Sequence, residues 1–425
     1  MIDLLQLSIP FKPEHVIETL SADGQGGYYI NLEKIARCTG LDLRASNVQF
    51  EIRGDLHVSG LFHPFESLPS HFSSLAFKVH QGSNLAQPRV QLKASPAKLL
   101  QGHNVFGPTD VALCAEALFK PFCEAMPLLA DYLDFEGTYI AKIDCTVSVR
   151  VKSRNQTHRI MDALRNTSNG QTKVTKNTRS QTYDSTMYWN GGSNLVERKA
   201  YLKYLELLVD LDRCKKELRR RPNDESLKRR INVLSNPDLI EWAALLVRFE
   251  ASLYPRKLID LNIPYKLLDL ISYQTEYERE GRNLIYDMWS AGFNELLESF
   301  KGTVMNIYDD EKILELLKST YQSTTPKGNI TYSKAQRIFG FYRRLVNEGY
   351  DEVFKTFNRA SFYRNINELI AVGISKSQLQ NLEAEKINNV VPLVELIKID
   401  FSQQHPDWYV EPVIYDDNVI QLKAS

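Results

Sequence analysis

Over the first 150 positions the hydrophobic residues come in short runs, and glycine or proline closes most of them. Positions 2–9, 48–53, 56–60, 75–80 and 89–92 have the length and alternation of strands. The period then changes. Val111, Leu113, Ala117, Leu118, Phe122 and Met126 recur at helical spacing within 109–132, where Pro121 is expected to bend or divide the helix. Positions 139–149 alternate again, as a strand carrying Asp144. A short helix is predicted over 153–165 and a polar loop over 166–182. Two strands, 183–190 and 196–204, form a hairpin around Gly191-Gly192. Positions 205–235 read as two helices broken at Arg221-Pro222-Asn223-Asp224. Asn236-Pro237-Asp238 opens another helix, with a cap residue, a proline at the first position and an acid in the first turn. It yields near Leu246 to a strand holding Glu250. From about Tyr273 helical periodicity dominates as far as Val394. The pattern predicts an α+β protein. A mixed-sheet α/β domain over 1–300, with a helical insertion at about 205–245, precedes a mainly helical domain over 301–425.

Composition narrows the classes. The 52 basic and 52 acidic residues cancel, so any nucleic-acid affinity must come from how charge is distributed. Hydrophobic content of 43% supports a large core. The five cysteines (Cys38, Cys114, Cys123, Cys145 and Cys214) are odd in number and widely spaced. This argues against a disulfide framework or a zinc site and fits a reducing cytoplasm. No basic segment precedes the first apolar residues, and no apolar run approaches ~18 residues. A soluble intracellular protein is expected.

The densest chemistry lies in Tyr201-Leu202-Lys203-Tyr204-Leu205-Glu206. A phenol attacks phosphorus poorly unless it loses its proton and the phosphate charge is neutralised. A neighbouring lysine and a carboxylate-bound divalent ion supply both. Asp144 and Glu250 lie in strand-like runs. If those strands are neighbours, the two acids together with Glu206 are candidates to hold one Mg²⁺ or Mn²⁺. In a straight strand Glu206 points away from Tyr201 and Lys203, so a strand-to-helix change near Tyr204 is needed. The bland alternatives are an ordinary Tyr-x-Lys strand and an Arg248–Glu250 ion pair on a solvated sheet face. No histidine pair is separated by one residue. His71 and His103 are single candidates for an added ligand, each otherwise a structural residue.

Candidate phosphate contacts fall in three places. The loop over 166–182 holds Lys173, Lys176 and Arg179 and no acid. Lys215, Lys216, Arg219, Arg220, Arg221, Lys228, Arg229 and Arg230 form either a cationic helix face or a solvated face balanced by acids. Between 337 and 365, helices over 337–346, 351–357 and 362–372 resemble a helix-turn-helix unit, with Ser361 as a cap. There Arg343, Arg344, Lys355, Arg359 and Arg364 contribute to a local excess of positive charge.

Several longer segments carry a resemblance. They include His63-Pro64-Phe65-Glu66-Ser67-Leu68-Pro69, Gln101-Gly102-His103-Asn104-Val105-Phe106-Gly107, Val233-Leu234-Ser235-Asn236-Pro237-Asp238-Leu239 and Phe339-Gly340-Phe341-Tyr342-Arg343-Arg344-Leu345. In these the chain resembles the gene II replication initiators of filamentous bacteriophages, nearly throughout its length. The resemblance implies a site-specific endonuclease that nicks the plus strand of supercoiled replicative DNA at the origin. It would form a 5′-phosphotyrosine, leave a 3′-OH for host polymerase and helicase, and rejoin the displaced single strand as a circle. The linking tyrosine maps onto Tyr201. The related Tyr-x-Lys-x-x-Glu pattern of plasmid rolling-circle initiators points to Lys203 and Glu206, with Asp144 and Glu250 as acids. The implied setting is the host bacterial cytoplasm, with no membrane partner, and the number of copies on DNA is left open. A shorter product starting at an internal methionine maps to Met305. The rival class is a non-enzymatic origin-binding protein or replication repressor using the helix-turn-helix.

Overall fold

The computed structural model describes residues 1–20, 26–50, 56–165, 186–298, 310–324, 328–376, 378–380, 382 and 403–414. The expected loop lysines and arginine (Lys173, Lys176, Arg179), Met305 and the boundary near 300 lie outside these residues.

Eight strands form the central sheet: β1 (Ile2–Pro10), β2 (Glu66–Pro69), β3 (Ser74–His80), β4 (Arg89–Ala94), β5 (Tyr139–Arg150), β6 (Thr186–Trp189), β7 (Val196–Leu202) and β8 (Leu246–Leu253). Their spatial order is β6-β7-β8-β5-β1-β4-β3-β2. The α+β class is as predicted, but the sheet is antiparallel at every pairing rather than mixed. No pair in it is joined by the right-handed crossover that a parallel pair requires. Predicted strands at 48–53 and 56–60 are instead a separate two-stranded ribbon, Arg44–Phe50 with Leu56–Phe62.

Both faces of the sheet are covered around β8, which is buried at all eight positions, whereas β3 and β4 alternate buried with more exposed residues. Its odd-numbered residues Val247, Phe249, Ala251 and Leu253 face the main core, where the helix Leu284–Glu298 packs with Phe293 against Phe249 at 5.8 Å. The closest approach comes at Gly292, where an added Cβ would stand 2.8 Å from the Ala251 Cβ. The even-numbered Arg248, Glu250 and Ser252 face the other way. Towards their Arg248 end stands a second apolar cluster made by the helices Lys203–Arg220, Glu225–Leu234 and Pro237–Ala244. The predicted helical insertion is therefore a cap over one end of the polar face. Asn236 caps its last helix by accepting from the Asp238 and Leu239 amides, as the sequence indicated.

Local differences have local causes. Pro121 sits inside an unbroken helix, Val111–Ala125, and the division falls at Met126, because the residue before Pro127 is driven out of helical geometry. In the C-terminal helices Ser333–Glu348, Tyr350–Thr356 and Arg359–Ile370, the cap of the last is Asn358, whose side chain accepts from the Ser361 amide. Ser361 is thus inside the helix. These helices, with Asp310–Thr320, close their own apolar cluster around Tyr342, Phe362 and Leu369.

One buried cation ties the sheet to the loop before the helix Val111–Ala125. Arg248, 1% exposed, donates to Ser148 Oγ at 3.2 Å and, through its two terminal nitrogens, to the backbone carbonyls of Asn104 and Val105. The solvated Arg248–Glu250 pair is not found, because β8 has no solvated face. Arg248→Met is expected to cost about 3 kcal/mol of stability, since two carbonyls lose their donors inside the protein. Urea denaturation measures this, and an unchanged midpoint would mean the carbonyls are satisfied elsewhere.

Candidate active site

Register brings the polar side chains of three strands into one row. Lys199 and Tyr201 of β7 stand opposite Glu250 and Arg248 of β8, and Asp144 and Thr146 of β5 stand opposite Ser252 and Glu250. On the far side of β5 the pairing of β1 slips between Ile2 and Leu4. This bulge lets the successive residues Asp3 and Leu4 both border the same cavity, which an unbroken strand would not allow. The cavity measures about 420 Å³. Its lining includes the acids Asp3, Asp144, Glu206, Asp210 and Glu250, the bases Lys98, Lys199 and Arg213, and the rings of Tyr188 and Tyr201.

Strand β7 ends at Leu202 and a helix begins at Lys203. The expected strand-to-helix change thus occurs, one residue ahead of Tyr204. It turns Glu206 back towards Lys203 as an i,i+3 pair, and the two form a close ion pair. The Lys203 ammonium, fully buried, also donates to Asn104 Oδ1 at 2.7 Å, and Asn104 Nδ2 donates to Asp3 Oδ1 at 2.7 Å. The Asn104 amide is therefore a bridge between one lysine and one carboxylate. The Tyr201 hydroxyl donates to Glu250 Oε2 at 3.4 Å. Lys199, in a close ion pair with Glu250, and Lys203 lie 5.6 and 5.9 Å from the Tyr201 ring centre.

Burial and the surrounding charge set the protonation states. Burial, reinforced by the Asp3 and Glu250 charges, holds the Tyr201 phenol well above its usual value. Burial likewise lifts the Glu250 carboxyl well above the carboxylate range, against Lys199 and with help from Asp144 and Asp3. Lys203 is pushed down to about 8 by burial, despite Glu206. Asp3 goes the other way. Burial works to raise it, but Arg248, Lys203, Lys199 and the Asn104 amide together outweigh that and keep its carboxyl low.

The cavity thus gathers Tyr201, Asp144, Glu206 and Glu250, with Lys203 immediately behind Glu206. The three acids do not converge on one point. The Asp144 carboxyl lies against Glu250, whereas Glu206 is held by Lys203 and by Lys98 at 3.5 Å. Among the described residues no three histidine, cysteine or acidic side chains are grouped tightly enough to hold a metal ion. His103 and His71 do not line the cavity. His103 is buried, held neutral by burial with its value lowered to about 3, and its Nδ1 accepts from the Val105 amide at 3.2 Å. His71 is exposed and edge-on to Phe72. Tyr204 lies under the Arg154 guanidinium and does not line the cavity either. Sequence reasoning missed Asp3, Asn104, Lys98, Lys199 and Asp210. An acid inside the apolar run Met1-Ile2-Asp3-Leu4-Leu5 was the one available signal.

The basic clusters divide. On the insertion, Lys216, Arg221 and Lys228 pair with acids of their own helices or turns, and Arg230 joins Lys98 on the buried Asp210. The balanced-face alternative describes Lys216, Arg221 and Lys228, whereas Arg230 is buried. In the C-terminal helices Arg343 pairs closely with Asp310 and Arg344 takes both oxygens of Glu348, while Arg359 and Arg364 are exposed. No helix among the described residues is long and apolar enough to cross a membrane.

Comparison with known proteins places this arrangement. Residues 1–280 match the family model for the N-terminal part of the replication-associated gene II protein, and residues 324–415 match its C-terminal counterpart. The replication-associated gene II protein of Salmonella phage IKe is 48% identical over 427 residues, covering 100% of both chains. Those of Enterobacteria phages fd and M13 are 48% identical over 417 residues, covering 97% of this chain and 99% of theirs. A rolling-circle replication initiator protein from Geobacillus stearothermophilus overlaps 60% of this chain and 73% of its own, at 11% identity and a TM-score of 0.22, too loose a likeness to interpret. The two family models and the full-length relatives agree, and the chain belongs to the family of replication-associated gene II proteins of filamentous phages.

Proposed function

We propose that this chain starts rolling-circle replication by nicking one strand of its phage's supercoiled DNA at the origin. It keeps the bond as a 5′-phosphotyrosine on Tyr201 and later rejoins the displaced strand into a circle. The observation that carries the reading is the Tyr201 hydroxyl, directed at Glu250 in a charged cavity with two lysines beside its ring. In the cutting step the phenol proton passes to Glu250 Oε2 and the tyrosine oxygen bonds to phosphorus. The phosphorus–O3′ bond breaks, and the departing oxygen takes a proton from the Lys203 ammonium. Rejoining is the reverse, with a 3′-OH as the attacking group. The carboxylate cluster fits a hard divalent ion such as Mg²⁺ or Mn²⁺ at Asp144 and Glu250. Both line the cavity with their carboxyls against each other, Asp144 helps raise Glu250, and the charge there is balanced by Lys142, 3.2 Å from Asp144 Oδ1, and by Lys199 on Glu250. Such an ion would supply charge neutralisation at the phosphate. Glu206 instead holds Lys203 in place.

The self-contained apolar cluster of the C-terminal helices supports reading 301–425 as a DNA-binding unit, with Arg359 and Arg364 turned outward for phosphates. A separate product from Met305 would contain it whole. Host polymerase and helicase would extend from the freed 3′-OH in the bacterial cytoplasm. One observation favours the rival reading, a non-enzymatic origin-binding protein: Tyr201 is only 7% exposed, as a core tyrosine would be.

The two readings separate on an SDS-stable protein–DNA adduct formed with supercoiled origin DNA and Mg²⁺. Wild type is expected to form it, Tyr201→Phe to lose it at least about 10³-fold with DNA binding intact, and EDTA to suppress it. Binding without any wild-type adduct would favour the rival. The rate of adduct formation should also have an alkaline limb, falling as pH passes about 8 and Lys203 loses its proton. Lys203→Arg should remove the alkaline limb. A wild-type rate that stays level through pH 8 rules out Lys203 as the proton donor.

A further inference from the structure

Residues 403–414 follow the C-terminal helices in sequence, yet they lie against the sheet domain. Along this edge of β5 the pairing ends at Thr146, whose amide and carbonyl both bond Met1, and Ser148 lies beyond it. There the Gln404 side chain substitutes for a strand. Its Oε1 accepts from the Ser148 amide at 2.9 Å and its Nε2 donates to the Ser148 carbonyl at 3.0 Å. Next to it His405 Nε2 donates to the Gly107 carbonyl at 3.2 Å. The His405 and Tyr409 rings stack at 4.2 Å, and Phe106 meets His405, Trp408 and Tyr409 edge-on at 6.4, 5.2 and 5.3 Å. Loop 104–107 is thereby held from two sides, by Arg248 at the Asn104 and Val105 carbonyls and by this aromatic segment at Phe106 and Gly107.

We infer that residues 404–409 are a positioning strap for the active cavity. By fixing loop 104–107 they fix the Asn104 amide, which joins Asp3 to Lys203. The strap touches none of the reacting atoms; it acts through Asn104. The inference rests on the reading of the cavity as the strand-cutting site and adds a dependence of that site on the far end of the chain. Val105 and Phe106 are also buried in the apolar cluster of the insertion helices, and the loop backbone is further bonded by Gln101 Nε2 donating to the Phe106 carbonyl at 2.6 Å and by the Val105 amide donating to His103. An amide loosened here releases a buried ammonium from one of its two partners, Glu206 being the other. A small displacement of a group that positions a reacting residue is costly in rate, and less so in substrate affinity.

The test uses the full-length chain, supercoiled origin DNA and Mg²⁺, and reads the single-turnover rate of adduct formation beside the affinity for the same DNA. Gln404→Met and Tyr409→Ala are each expected to slow the adduct step at least about tenfold while DNA affinity stays within about twofold. Tyr409→Phe keeps the ring on His405 and Phe106 and loses only a buried hydroxyl without a hydrogen-bond partner, so wild-type rate is expected. Wild-type rates for both Gln404→Met and Tyr409→Ala overturn the strap. So does a joint loss of rate and affinity in which Tyr409→Phe fares no better than Tyr409→Ala, because that is general unfolding. Tyr201→Phe separates the two proposals. If it forms the adduct at the wild-type rate, the reading of the cavity has failed; if it is inactive while the strap variants are normal, the strap alone has failed.

Discussion

A guanidinium with no access to water has to find acceptors, and Arg248 finds them on a loop over one hundred residues away in sequence. Much of the cavity depends on this one demand. The carbonyls it takes belong to Asn104 and Val105, and the Asn104 side chain then divides its amide between an acid and a lysine. Arginine suits the position because its planar fork reaches two carbonyls and a hydroxyl at once and keeps its charge when buried. That fixed charge helps keep Asp3 ionised, and it partly offsets the acids around Tyr201.

Around that anchor the cavity combines groups in opposite states. Asp3 is held as an anion, while Glu250, a few ångströms from the same phenol, is held ready to carry a proton. The difference comes from the neighbours, not from the residue type. Asp3 faces arginine, two lysines and an amide, whereas Glu250 faces one lysine and two acids. Carboxyls whose environments push them apart are the arrangement in which acid and base roles separate. The same surroundings keep the tyrosine protonated at rest. A phenol in that state gives up its proton more readily only if further positive charge is added beside it.

Much of the frame could be read from one-dimensional pattern. The alternation at 139–149, the Gly191-Gly192 hairpin and the Asn236-Pro237 helix start are local signals, and each formed where the residues indicated. The return of Glu206 towards Lys203 was legible because helical spacing after Leu202 is a local property as well. What escaped was set by pairing. Asp3 reaches the cavity through a register slip that exists only once β1 lies on β5. Asn104 looks like an ordinary loop residue until Arg248 fixes its backbone. Lys98 and Asp210 meet across the cavity wall from distant helices. Burial of β8 on both faces likewise depends on the insertion folding over it, and no strand-level alternation foretells that. The C-terminal helices were visible because Gly349 and Gly373 punctuate them. The same region gave no hint that the chain would return to the sheet at Gln404, since that contact is a side chain imitating a backbone.

One tight contact on the back of the sheet has its own consequence. Gly292 lets the helix Leu284–Glu298 rest almost directly on Ala251, and the Gly292 carbonyl also accepts from Arg198 Nε. The two positions share a single methyl group between them. Drift at either is therefore constrained by the other: a relative that carries alanine at 292 has room for it only with glycine at 251, or with the helix standing farther off and the arginine left reaching. Such paired exchange, tracked across related phages, would record how firmly the back of the sheet has been held while the chemistry on its front was kept.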